Sequence, residues 1–314
     1  MAKGEKLEAT TGRSPWLVVI GIIFLLSVFS FFVLGFVALM VTNTESVASG
    51  NVAVIPIKGV IMIDQDDSLF ATGVASSTSV VALIEEAEQD ETIEAIVFDI
   101  NSPGGSPVAS AEIARAIKES SKPTVAVIRE VGASGAYWAA SAADHIIANE
   151  VSITGSIGVL ASYLQYGDLL ERYNVSYERF TAGKYKDMGT PYREMSGEEK
   201  TLYQSELDIM HEIFIAAVAE NRGLAYDTVE PLATGQIYLG VQAVENGLVD
   251  QLGGKKEAYA YLTEQLGIEV IPMLYEDEKS FLELLALAMD STAFNVGTGI
   301  GAVLVEQESQ GIRL

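Results

Sequence analysis

From Ser14 to Thr44 the chain carries no charged residue, and from Trp16 to Val41 it is almost wholly apolar, reading WLVVIGIIFLLSVFSFFVLGFVALMV. Few structures accommodate such a stretch. A helix that crosses a bilayer needs about 20 consecutive apolar residues. The apolar core of a signal peptide is shorter, about 7–15 residues, and precedes a small-residue cut site. Val47-Ala48-Ser49 offers such a site, but the run before it is too long. A buried core helix is the other alternative. The expectation is a retained transmembrane helix over residues 16–41. Lys3, Lys6 and Arg13 precede it and the next base is Lys58. This bias puts the N-terminal segment, residues 1–15, in the cytoplasm and the remainder outside, as a single-pass protein of the cell membrane.

Hydrophobic residues make up 49% of the 314, enough for a substantial core. No cysteine is present, which excludes disulfides, thiol nucleophiles and cysteine-based metal sites. The formal net charge of −24 argues against nucleic-acid partners, since neutralising phosphates takes clustered Lys and Arg.

After a polar linker at 42–51, strand and helix patterns alternate. Val52–Met62 is β-rich with a break at Gly59, Ser77–Glu88 is helical, and Glu94–Ile100 reads as a buried strand. Pro107–Glu119 has helical period, Thr124–Ile128 is an apolar strand, Ser134–Ala143 is helical and His145–Ala148 is a short strand. This alternation predicts α/β layers. Ser196 and Glu199 form a capping-box pattern ahead of a long helix over 197–221, which Arg222-Gly223 ends. Gly235–Gly254 reads as loop, short strand and helix. Beyond about Val270 the pattern weakens, with a candidate amphipathic helix at Ser280–Met289 and a Gly-rich apolar stretch at Asn295–Val303.

Three loops carry candidate chemistry. Asn101-Ser102-Pro103-Gly104-Gly105-Ser106 follows a buried strand, and its glycines let backbone approach a ligand closely. Gly132-Ala133-Ser134-Gly135-Ala136 sets a serine among small residues at a helix start, where unpaired N–H groups could face a developing oxyanion. It lacks the last glycine of a nucleophile elbow. The third, Thr181 to Pro191, holds Lys184 and Lys186 in an irregular segment. Each loop alone also has a plain reading, as a turn, a packed helix start or a salt-bridged surface.

A serine nucleophile needs a base. Neither histidine has a suitable setting: His145 enters an apolar strand and His211 lies inside the long helix, so both read as structural. Two histidines without ligand spacing also argue against a zinc site. A lysine base must be neutral, yet a pKa of about 10.4 leaves roughly one lysine in 2,500 deprotonated at pH 7. Depressing it by about three units costs around 4 kcal/mol. Hydroxyls can orient the neutral amine without adding charge, and Thr154 and Ser156 are candidates.

Together these segments resemble a family. Asn101-Ser102-Pro103-Gly104-Gly105, Gly132 to Tyr137, Thr154-Gly155-Ser156-Ile157-Gly158, Lys184-Tyr185-Lys186-Asp187 with Pro191 and Arg193, and Gly235-Gln236-Ile237-Tyr238 through Gly247-Leu248-Val249-Asp250 match in order and spacing. The chain is similar to the signal peptide peptidase A family, membrane-anchored serine proteases of the ClpP/crotonase-like layered ββα fold. The resemblance covers about residues 52–266, with 267–314 left as a tail of unknown role. It implies Ser134 as nucleophile and Lys186 as general base, with Ser156 orienting the lysine. Backbone N–H groups of Gly104, Gly105 and Gly135 would form the oxyanion hole. No metal or organic cofactor is implied.

The single module resembles the family's short form, which implies a homo-oligomer whose active sites are shared between protomers. The implied substrates are cleaved signal peptides, apolar and extended. Three other readings use the same features: a Ser-Lys membrane protease cutting a stomatin-like partner, an acyl-CoA enzyme of the crotonase type, and an inactive scaffold of that fold.

Overall fold

The computed structural model describes residues 15–42, 50–64 and 73–276. The expected cytoplasmic segment up to residue 14, most of the linker, and the tail beyond residue 276 with its candidate helix lie outside the described residues. The chain divides into two compact units between Ser49 and Gly50.

The first unit holds α1 (Pro15–Thr42), a helix of 28 residues. At 1.5 Å per residue it is about 42 Å long. Its described side chains include Phe24, Leu25, Phe31 and Phe32, all exposed. Among the described residues no helix is long and apolar enough to cross a membrane.

The second unit begins with β1 (Val52–Lys58), β2 (Val60–Met62), β3 (Val74–Ser76), α2 (Ser77–Gln89), β4 (Ala95–Ser102) and α3 (Pro107–Glu119). It continues through β5 (Thr124–Ala133), α4 (Gly135–Ser141), β6 (His145–Ala148), β7 (Ile153–Gly155) and α5 (Gly167–Arg172). The last described elements are α6 (Gly197–Arg222), α7 (Tyr226–Val229), β8 (Ile237–Leu239), α8 (Gly240–Glu245), β9 (Gln251–Leu252), α9 (Lys255–Leu266) and β10 (Pro272–Leu274). The fold is mixed α/β with a parallel-dominated sheet. The main sheet has the order β10-β1-β4-β5-β6-β9, with every neighbouring pair in that path parallel. β2 and β3 form a small parallel pair.

Strands covered on both faces by helices read as near-continuous apolar runs. Side chains of one strand alternate between faces, so these runs feed two cores. Ala53, Ile55 and Ile57 of β1, Ile96, Phe98 and Ile100 of β4, and Ala126 and Ile128 of β5 join the larger cluster with α2, α3, α4 and α6. Val52, Val54, Val97, Val125 and Val127 face the other way, against Ala258 and Leu262 of α9.

The sheet extends past the expected domain boundary at 266, because β10 pairs in parallel with β1 through Pro272–Leu274. The edge is tied further by Asn51, whose side chain donates to Glu269 O at 2.9 Å and accepts from Ile271 N at 2.8 Å.

The feature that positions the site is a change of partner within β5. Val125–Ile128 pairs with β6, but Val131–Ala133 pairs with β7. The β4 register shifts over the same residues, between Ile100 and Ser102. Backbone groups released at such a bend must find other partners. Ser152 Oγ donates to Ile128 O and Arg129 O, and Val131 N donates to Asn101 Oδ1 at 3.1 Å. Bent in this way, β5 delivers Ser134 onto the start of α4.

Candidate active site

Ser134 caps α4 with φ 54° and ψ −127°. A positive φ is uncommon for a residue with a side chain, and strain of this kind costs about 1–3 kcal/mol. It is held from both sides. Ser134 N donates to Gly155 O of β7 at 2.8 Å, and its carbonyl accepts from Trp138 N at 3.0 Å.

The Gly104-Gly105 loop lies directly against this serine. Gly104 has φ +93°, and a Cβ there would sit 2.6 Å from Gly135 N and 3.0 Å from Ser134 Cβ. Gly105 is wedged against β2, where a Cβ would come within 1.9 Å of Ile61 O. Ile61 N donates to Gly104 O at 3.0 Å, and Ser106 N donates to Ile61 O at 2.8 Å. The structure thus brings Gly104, Gly105 and Gly135 together at Ser134. Their N–H groups are not equivalent. Gly104 N donates to Ser102 Oγ at 3.1 Å. The N–H groups of Gly105 and Gly135 have no acceptor among the described residues.

Ser134, Gly105 and Gly135 open onto a cleft of about 500 Å³. Trp138 and Phe214 form one wall, their rings stacked with centroids 4.7 Å apart. Val159, Leu160 and Pro107 add apolar surface, while Ser156 and His211 supply polar groups. Ser156, like Ser134, has positive φ, at 51°. Its N–H donates to Gln236 O at 2.8 Å, which ties it to the segment before β8. The two hydroxyls proposed for orienting a lysine are separated by this geometry. Thr154 Oγ1 is buried and donates to Gly132 O at 2.7 Å, whereas Ser156 faces the cleft.

Lys186 is exposed and is not among the residues lining that cleft. Its segment is nonetheless anchored. Asp187 accepts two 2.9 Å hydrogen bonds from Arg193 and a further ion pair from Arg179. Arg193 also grips Glu199, at 2.6 and 2.8 Å. Glu199 closes the capping box of α6 by accepting from Ser196 N. Hydrogen bonds from Arg193 and Arg179 hold the Asp187 carboxyl well below the usual range, and Arg193 brings Glu199 down to about 2. Lys184 pairs with Glu198 at 2.6 Å, which raises its pKa.

The histidines differ from each other. His145 stacks on Tyr261 with centroids 3.9 Å apart and contacts Gln251, a structural role. His211, read from sequence as structural inside α6, faces the Ser134 cleft instead. Helical spacing beside Met210 pointed to packing, and only the docking of α6 on α4 reveals the cleft. Among the described residues no cluster could hold a metal ion.

Comparison with known proteins supports a peptidase. Residues 116–269 match the model of peptidase family S49. A protein of Methanocaldococcus jannaschii named as a protease is 32% identical over 250 residues, 78% of this chain and 79% of that one. An Enterococcus faecium protein named as signal peptide peptidase SppA is 33% identical over 227 residues, 71% of this chain and 66% of its own. Protease 4 of Haemophilus influenzae is 31% identical over 211 residues, 66% of this chain but only 33% of that longer protein. A serine set on a cleft wall by a strained turn beside unpaired N–H groups, within a sheet that fits the ClpP-like architecture, agrees with these relationships: the chain belongs to peptidase family S49, in the short single-module form of the signal peptide peptidase A family, and is a serine peptidase.

Proposed function

We propose that this serine peptidase is a membrane-anchored endopeptidase that cleaves apolar peptides, remnant signal peptides among them, through Ser134 and Lys186. The observation that carries the reading is the strained Ser134 turn, open to an apolar cleft beside the unpaired N–H groups of Gly105 and Gly135. Anchoring is supported by the uncharged sequence of the 28-residue α1. The charge bias of the flanks supports an extracytoplasmic domain.

In this mechanism Ser134 Oγ attacks the scissile carbonyl carbon while its proton passes to neutral Lys186 Nζ. Gly105 and Gly135 N–H groups hold the oxyanion; Gly104, its own N–H committed to Ser102, shapes the loop. Collapse of the tetrahedral intermediate breaks the C–N bond, and Lys186 returns the proton to the leaving amine. Lys186 then takes a proton from the water that attacks the acyl-serine; collapse breaks the ester C–O bond, Lys186 returns that proton to Ser134 Oγ, and the product leaves as the acid, which ionises in solvent. Ser156, on the cleft wall, orients the amine.

Lys186 reaches this cleft from a neighbouring copy. Support comes from the cleft lining, which lacks Lys186, and from the exposed apolar surface before the lysine loop. Leu160, Leu164 and Phe180 are 83%, 81% and 95% exposed.

The test uses the full chain in detergent with a fluorogenic apolar peptide. Wild type should cleave, and Ser134→Ala and Lys186→Ala should each be inactive. Mixing the two variants should restore activity, because a hybrid interface pairs an intact serine with an intact lysine. Cleavage by Lys186→Ala at the wild-type rate would remove the lysine from the mechanism. Mixtures that stay inactive despite forming hybrid oligomers would place both groups in one chain.

A further inference from the structure

The Ser134 cleft carries one polar feature for which neither the fold nor the proposed hydrolysis has a use. His211 Nε2 is buried and has no hydrogen-bond partner among the described residues. A buried polar atom without a partner is disfavoured, and nearly all such atoms in folded proteins are paired. The cleft around it combines apolar surface, from the Trp138–Phe214 stack, Val159 and Leu160, with the hydroxyls of Ser134, Ser156 and Thr234. Phe214 is the next turn of the same helix, so the ring of His211 and the stack share one face of α6. A cleft open to solvent that keeps one nitrogen unpaired in its wall is shaped for an occupant that brings the missing partner.

We propose that His211 is a specificity residue that receives a hydroxyl-bearing side chain of the peptide substrate. The inference rests on the reading of the cleft as the peptide-binding site. A hydroxyl both donates and accepts, so it satisfies either tautomer of a neutral imidazole through a single atom. Its carbon frame suits the apolar walls. A carboxylate would meet the repulsion of a chain whose net charge is −24. Substrates are therefore not uniformly hydrocarbon: one position favours Thr or Tyr over the isosteric Val or Phe.

Binding and cleavage are read separately to test this. Labelled apolar peptides, differing only by Thr/Val or Tyr/Phe at each position in turn, are titrated against the full-length Ser134→Ala protein in detergent. The same titration is run on Ser134→Ala carrying His211→Phe or His211→Gln. Comparing the ratio of affinities between proteins cancels the unequal partition of the peptides into micelles. At one position the hydroxyl peptide should bind roughly 3- to 10-fold tighter. His211→Phe should erase that ratio, and His211→Gln, which restores a polar group near the Nε2 position, should keep most of it. A ratio of one at every position, or a preference that survives His211→Phe, overturns the inference. Failure of the wild type to hydrolyse peptides that Ser134→Ala binds selectively would instead count against the proposed endopeptidase activity.

Discussion

Replacing Gly105 by alanine tests whether its N–H is part of the oxyanion hole. The added Cβ would lie 1.9 Å from Ile61 O, 2.6 Å from Ile61 N and 2.7 Å from Ile61 C. All three are backbone atoms, so no side chain can rotate away. Contacts under 3.0 Å are essentially never made by real Cβ atoms, so the loop and β2 must part by more than an ångström. The same segment donates Ser106 N to Ile61 O and accepts Ile61 N at Gly104 O, and both bonds would stretch with it. Loss of one oxyanion donor lowers kcat by about 10²–10³-fold, which is about 2.7–4 kcal/mol of transition-state stabilisation. Overpacking alone costs about 1–3 kcal/mol of stability. Steady-state hydrolysis of the apolar peptide and thermal unfolding are measured together, with Gly197→Ala as control, since a Cβ there meets nothing within 4 Å. We expect kcat for Gly105→Ala to fall at least 100-fold with KM nearly unchanged in protein that is still folded, and the control to match wild type. A folded Gly105→Ala protein within a few-fold of wild-type kcat refutes the assignment.

Two further outcomes follow from the same geometry. Arg193→Met frees Glu199 and leaves Asp187 held by Arg179 alone, so the anchor of Lys186 loosens and peptidase activity at pH 7 should drop roughly 10-fold or more. Both carboxyls are depressed in the folded protein, so their contribution to stability is complete above about pH 4.5 and is lost as pH falls toward 2. Thermal unfolding should accordingly show a smaller loss over that range in Arg193→Met than in wild type, and equal losses would contradict the clamp. Tyr137→Phe strands the carbonyl of Leu248, which now accepts from the fully buried Tyr137 hydroxyl at 2.8 Å. A cost of about 1–3 kcal/mol should appear as a lower melting temperature, and an unchanged one would mean the carbonyl finds another donor.

What could be read from the chain depended on how local its cause was. The α3 helix begins at Pro107, a residue favoured in the first turn, and α6 is announced by its Ser196–Glu199 box; both are signals within four residues. The buried runs of β1, β4 and β5 were visible as apolar sequence. β7 and β10 were not, because three-residue strands are defined by partners far away: Ile153–Gly155 by β5, and Pro272–Leu274 by β1. At the site, the small residues around Ser134 were legible but its φ was not, since the constraint comes from Gly155 O across the β5–β7 pairing. That Gly104 N donates to Ser102 Oγ was equally hidden, a two-residue turn that composition does not reveal. His211 was masked by its helical context, and its exposure to the cleft depends on where α6 docks.

The central claim is that Ser134 becomes acylated. Rapid acid quenching of the enzyme with an apolar peptide ester, followed by digestion and mass spectrometry, tests it directly. The account predicts an acyl adduct on the fragment containing Ser134, absent from Ser134→Ala. Sustained hydrolysis by Ser134→Ala, or an adduct carried by another residue, would contradict it.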